Sequence, residues 1–402
     1  MMEANKTIVR NVKIEDRLHD LTLDLTTGCM SHIEPSGKTM QPAEDFAQVW
    51  DADGLLYLPA LSDMHIHLDK HFLGEPWKPL QPFVTLPGQL EFETRMLEAL
   101  PTRAAERAHR LLQLLLMNGT TAIRTHVDVD PKLGLSHLED ILEVREHFRG
   151  RMDIEIVAFP QQGLLRSQSI SIMKEALRAG ADYVGGVDPA GLDGQVDASL
   201  EAMFELSTEF KAGVDLHLHD PGHLGTYTVS RFADLTLEAS QSGRTAVSHA
   251  YCLGQVSEAE SRELAQKLSA SNVAIMTSVP IDRPMPRVDQ LLLEGVRVHV
   301  GSDNILDAWS PFGNGDLLAR GSRLAEKFGW ITDDQLLQTY PLISSGSLVP
   351  KVGDHASFSL VNALNARHAI AAVPLREAVF SGGMLVGGRW HVSDRQDQIV
   401  LA

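Results

Sequence analysis

The sequence predicts an α/β fold: a (β/α)8 TIM barrel carrying a small β-sandwich domain made from both chain ends. Three observations point there. Short apolar runs recur eight times between residues 58 and 302, with helical patterns between them. The first and last stretches read instead as alternating β segments punctuated by glycine and proline. At 402 residues the chain exceeds a usual single core of ~250–300 residues, unless that core is a large barrel with an appendage. The expected division is residues 1–57 plus 350–402 for the β unit and 58–349 for the barrel. An open doubly wound sheet is the rival, but no reversal of strand order is visible.

Taken in order, Thr7–Ile14 alternates in part and Leu21–Leu25 strictly, with Gly28, Pro35, Gly37 and Gly54 as breaks. The apolar run Leu55–Leu61 reads as a buried strand leading into Asp63-Met64-His65-Ile66-His67-Leu68-Asp69-Lys70. The barrel strands are expected at 58–65, 120–126, 153–159, 182–188, 213–219, 245–249, 272–277 and 296–302. Ala108, Leu111, Leu112 and Leu115 mark one helix face, with Gly119 as its stop. Ser257 and Glu260 form a capping box before the seventh strand. Residues 72–100, rich in proline and glycine, read as a long loop over the barrel mouth, a candidate lid. Residues 356–402 read as β again, with a hairpin turn at Val386-Gly387-Gly388-Arg389.

Composition narrows the function. Apolar content of 44% and charged content of 22% are those of a globular protein. The net charge of −18 opposes binding to nucleic acid or to anionic membranes. No apolar run reaches the ~18 residues of a membrane span, and the N-terminus opens on no secretory segment. Two cysteines, Cys29 and Cys252, cannot build a disulfide framework, so a cytoplasmic location is expected. Neither a phosphate loop nor a dinucleotide fingerprint is present.

The chemistry concentrates at the strand ends. In a strand, His65 and His67 project to one face and can reach one metal ion. An HxH pair carries little weight among 17 histidines. The other ends supply the weight: His126-Val127-Asp128 on strand two, His217-Leu218-His219-Asp220 on five, Ser248-His249 on six, and Ser302-Asp303-Asn304 on eight. Barrel enzymes draw their sites from these C-terminal ends. Imidazoles and a carboxylate with one open position describe a hydrolytic metal site.

The order HxH, His, His, Asp on strands one, five, six and eight resembles the amidohydrolase superfamily, and within it the cytosine deaminase-like branch. The resemblance rests on His65-Ile66-His67-Leu68-Asp69, Arg124-Thr125-His126-Val127-Asp128-Val129, Ile156-Val157-Ala158-Phe159-Pro160-Gln161, Val184-Gly185-Gly186-Val187-Asp188-Pro189, Ser248-His249 and Asp307-Ala308-Trp309-Ser310-Pro311-Phe312-Gly313. It covers roughly residues 55–330. It implies His65, His67, His217 and Asp303 as ligands of one divalent ion, Zn or Fe. Gly185-Gly186-Val187-Asp188 stands where many superfamily members carry a bridging lysine, which implies a mononuclear site.

The resemblance further implies catalytic roles for His249 and Asp303 beside the water, and for Asp220, with His219, as proton shuttle. It implies Gln161 and Trp309 as substrate-binding residues. Asp220 departs from the branch's glutamate. His219, Asp220, Asn304 and Lys70 together are similar to N-isopropylammelide amidohydrolase, which adds Asn304 and Lys70 to the substrate-binding set. The implied function is metal-dependent deamination of a nitrogen heterocycle, cytosine or a close pyrimidine analogue. The alternative is hydrolysis of an N-alkylamino-s-triazine or a cyclic amide. From another class comes a non-catalytic assembly protein on a dead barrel, which should have lost its ligands. The expected partner is a small heterocyclic substrate, with a homo-oligomer implied by the resemblance.

Overall fold

The structure is a computed structural model, described for residues 5–37 and 47–394. Sixteen strands fall into two hydrogen-bonded sets of eight. One set holds β1 (Lys6–Ile14), β2 (Arg17–Asp24), β3 (Cys29–Pro35), β4 (Gln48–Asp51) and β5 (Leu56–Pro59). The barrel follows with β6 (Leu61–Ile66), β7 (Thr120–Asp128), β8 (Asp153–Phe159) and β9 (Tyr183–Val187). It continues with β10 (Gly213–Leu218), β11 (Thr245–His249), β12 (Ala274–Thr277) and β13 (Val298–Val300). Then β14 (Phe358–Val361), β15 (Arg376–Ser381) and β16 (Met384–Gly387) rejoin the first set.

All eight barrel strands overlap their expected spans, in the parallel order β6 to β13, although the first begins at Leu61 rather than at residue 58. Every residue of β10, β11 and β12 is buried. That follows from parallel strands covered on both faces, here by helices outside and packed side chains inside. On the helix Ala104–Met117, Ala108, Leu111, Leu112 and Leu115 are all 0% exposed. Ser257 accepts a hydrogen bond from the Glu260 N–H at 3.3 Å and caps the helix Glu258–Ser271.

The chain ends meet through β5 and β14, which pair antiparallel from Phe358↔Pro59 to Val361↔Leu56. Val9, Leu21, Leu23, Tyr57, Phe358 and Phe380 build a separate apolar core there. The apolar run Leu55–Leu61 is therefore two strands rather than one. It changes sheets at Pro59-Ala60, and only Leu61 onward belongs to the barrel.

Two local expectations are corrected. The hairpin turn sits at Gly382-Gly383, with φ of 54° and 83° and Ser381 paired to Met384. Two consecutive positive φ values suit a two-residue turn, and only glycine takes them without steric cost. Gly388 instead opens the helix Gly388–Asp394. Within 72–100, residues Leu86–Glu98 are a helix, not loop. Thr85 caps it, and Pro87 lies in the first turn, where a missing N–H costs nothing. The last eight residues, 395–402, lie outside the described residues.

Candidate active site

The barrel closes where β6 meets the segment after β13. Ile66 bridges Asp303, and the Asp303 N–H donates to the His65 carbonyl at 2.7 Å. Asp303 Oδ1 then lies 3.5 Å from His65 Nε2 and 3.6 Å from His67 Nε2, and Oδ2 lies 4.0 Å from His249 Nδ1. Burial would raise the Asp303 pKa, but His249, His65 and His67 outweigh it and hold the carboxylate well below its usual range. Asp188, His249 and Asp303 all carry positive φ, at 39°, 70° and 59°. Non-glycine residues held there at three strand ends mark a surrounding structure that over-determines them.

Each imidazole is aimed by a second contact. His67 Nδ1 meets the His126 carbonyl at 3.2 Å, so its proton sits there and Nε2 points inward. His65 Nδ1 meets Ser248 Oγ at 2.9 Å. The Ser248 hydroxyl donates to Asp215 Oδ1 at 2.8 Å, so it receives the His65 proton and leaves Nε2 as a lone pair. Asp215 is fully buried and pairs with Arg124 at 3.0 Å.

These nitrogens fit a divalent cation. His65 Nε2, and both nitrogens of His126 and of His217, are buried without a hydrogen-bond partner. Ligand atoms of His65, His126 and His217 lie within 4.8 Å of one another, as do those of His65, His249 and Asp303. Buried, unsatisfied polar atoms cost ~1–3 kcal/mol each, a cost that a shared cation removes. Burial first, then the neighbouring imidazoles, push His126 and His217 well below the ordinary histidine pKa, which keeps their lone pairs free. The sequence alone marks no ligand role for His126. Its place in the Arg124–Asp128 strand end was the available signal.

A cavity of about 780 Å³ opens onto this cluster, lined by His67, His217, His219, His249 and Asp303. The four expected substrate-binding residues, Lys70, Gln161, Asn304 and Trp309, line it too. Lys70 is 1% exposed and donates to Asp128 at 2.7 Å and to Gln161 Oε1. Burial works against its charge, but Asp128, Glu93 and Asp69 outweigh it and raise its pKa above the usual lysine value. Asn304 donates to Asp307 Oδ2 at 2.7 Å.

Asp220 is the exception. It is buried, but its carboxylate accepts the Ala190 and Gly191 N–H groups at 3.0 and 2.8 Å and is not among the cavity-lining residues. His219 reaches the cavity instead, with Nδ1 2.9 Å from Asp188 Oδ2. Burial disfavours the charged imidazole, but Asp188 outweighs this and raises the His219 pKa. The sequence alone points to no role for Asp188 or Glu93. Glu93 had no signal, because its helix lies in a stretch that reads as loop.

Fold and site define a class: a parallel barrel that gathers imidazole and carboxylate groups at its C-terminal mouth for hydrolytic chemistry. Residues 48–345 match the amidohydrolase family, and the chain belongs to it, as an enzyme acting on C–N bonds. Among curated relatives it is 31% identical over 354 residues to N-isopropylammelide isopropyl amidohydrolase of Pseudomonas sp. strain ADP, covering 84% of this chain and 87% of the relative. Among solved structures it resembles N-isopropylammelide isopropylaminohydrolase from Burkholderia multivorans, with TM-score 0.88, 31% identity, and 96% and 98% of the two chains covered. It also resembles 5-methylcytosine deaminase from Klebsiella pneumoniae liganded with phosphonocytosine, with TM-score 0.79, 25% identity, and 98% and 99% covered. Among the described residues no helix is long and apolar enough to cross a membrane.

Proposed function

We propose that the protein hydrolyses the bond between a ring carbon of a nitrogen heterocycle and an exocyclic nitrogen, releasing ammonia or an alkylamine. One observation carries the reading: the imidazole–carboxylate cluster opens into the same cavity as Gln161 and Asn304, whose amides can read ring edges. The three similar proteins named above, whose names carry N-isopropylammelide and 5-methylcytosine, support it.

An alkylamino-substituted ring of the s-triazine kind is the reading we favour. The cavity is in the size range of pockets that bury drug-sized ligands, ample for a substituted ring. Phe83, Ile281 and Phe312 line it and remain exposed, an apolar surface suited to an alkyl group. Deamination of a cytosine-type ring is the second reading, favoured by Gln161 in the cavity wall.

His65 and His217, whose free nitrogens gather beside those of His126, would together with His67 and Asp303 hold a divalent cation, which when bound supplies the Lewis acidity that makes water a nucleophile near neutral pH. Asp303 and His249 flank the position from which water attacks and take up its proton. His219, steadied by Asp188, delivers a proton to the leaving nitrogen as the C–N bond breaks and the C–O bond forms. Gln161, Asn304 and Trp309 hold the ring in line.

An amine-release screen over cytosine, 5-methylcytosine, isoguanine, creatinine, aminotriazines and N-alkylaminotriazines tests the reading. Release of alkylamine from a substituted triazine is expected. A metal-loaded protein that releases nothing from any of these rings overturns it, and a protein that retains no metal returns the dead-barrel reading.

A further inference from the structure

We propose that Glu93 sets which hydrogen-bonding edge of the substrate ring Gln161 reads; the inference rests on the heterocycle reading above. A glutamine amide has two ends of nearly equal shape and opposite hydrogen-bonding sense, so an unconstrained one can turn over. Gln161 is constrained on both sides. Its Nε2 donates to Glu93 Oε2, and its Oε1 accepts from the Lys70 ammonium. A carboxylate only accepts and an ammonium only donates. The reversed amide would set oxygen against carboxylate and NH2 against ammonium, so one orientation survives. One N–H and one oxygen lone pair of Gln161 are then left for the ring, each in a set place.

Glu93 does this from outside the barrel strands. It sits on the helix Leu86–Glu98, in the long insertion after β6, and is 2% exposed. Its other oxygen accepts the Trp309 indole N–H at 2.7 Å. One turn earlier on the same face, Gln89 donates to the Ala308 carbonyl at 2.7 Å. Lys70 Nζ lies 4.0 Å from Glu93 Oε1. A single side chain thus joins the insertion to Lys70 after β6, Gln161 after β8 and Trp309 after β13. Glu93 reaches the ring only through these groups, so it is a positioning residue.

The test compares wild type, Glu93→Gln and Glu93→Asp, all metal-loaded. Each ring turned over in the screen is paired with the counterpart in which one ring carbonyl is replaced by an amino group, such as cytosine with diaminopyrimidine. Turnover gives kcat and KM, and calorimetry gives Kd for each ring. Wild type should prefer the carbonyl ring. Glu93→Gln keeps the shape but can donate or accept, so one of the two constraints is lost and only the Lys70 ammonium still opposes the reversed amide; that preference should fall by about tenfold, in KM and Kd rather than kcat. Glu93→Asp keeps an acceptor-only group and should restore the preference. Metal content should match wild type in both variants. An active Glu93→Gln with undiminished preference overturns the proposal and leaves the heterocycle reading standing. A wild type that neither binds nor turns over any ring overturns both.

Discussion

The backbone N–H of Asp303 donates to the carbonyl of His65 at 2.7 Å, and their side chains meet at 3.5 Å. The seam that closes the barrel is therefore also the seam that assembles the site. Gly301 permits the approach: a Cβ there would lie 2.5 Å from His65 Cβ and 2.6 Å from its carbonyl oxygen. Backbone atoms cannot move aside as a flexible side chain can.

Gly301→Ala should therefore destabilise the protein by about 1–3 kcal/mol, the usual cost of overpacking. The change should appear as a lower urea midpoint together with a lower metal content. An unchanged midpoint and full metal retention would show that the seam has slack.

Metal content is the second expectation. Purified protein should hold about one divalent ion per chain, and His217→Ala should lower occupancy sharply. Elemental analysis decides it. Two ions per chain would sink the mononuclear reading and the weight placed on Gly185-Gly186 in strand four.

Ser248 supplies a third. It passes the order of the Arg124–Asp215 pair to His65 through two hydrogen bonds of 2.8 and 2.9 Å. Ser248→Ala keeps every proposed ligand but frees the His65 ring to turn. Metal affinity or activity should fall ~10–100-fold, as for other groups that orient a ligand. A variant with wild-type affinity and rate would show that packing alone aims His65.

The proton shuttle is the fourth. His219→Ala should cost ~10²–10⁴-fold in turnover if His219 carries general acid–base duty. Asp220→Asn should cost far less in turnover. It should act chiefly on stability, because the Asp220 carboxylate accepts the Ala190 and Gly191 N–H groups. If Asp220→Asn is dead and His219→Ala active, the shuttle is Asp220, as the family resemblance implies.

By itself the sequence determined the eight barrel strands, the β character of the chain's start, the helix faces and which strand ends hold histidine and aspartate. These are local matters: strand and helix periods, caps and breaks are written in neighbouring residues. Tertiary structure decided what neighbours in sequence could not. His219 and Asp220 are adjacent, yet one meets the cavity and the other turns to the loop after β9, because Asp188 and two backbone N–H groups from that loop capture them separately. Pro87 and Gly88 read as loop, yet a helix forms there, held in place by Glu93 and Gln89 against the β8 and β13 loops. The partners of Glu93 lie far away along the chain, and no local pattern encodes a hydrogen bond made across that distance.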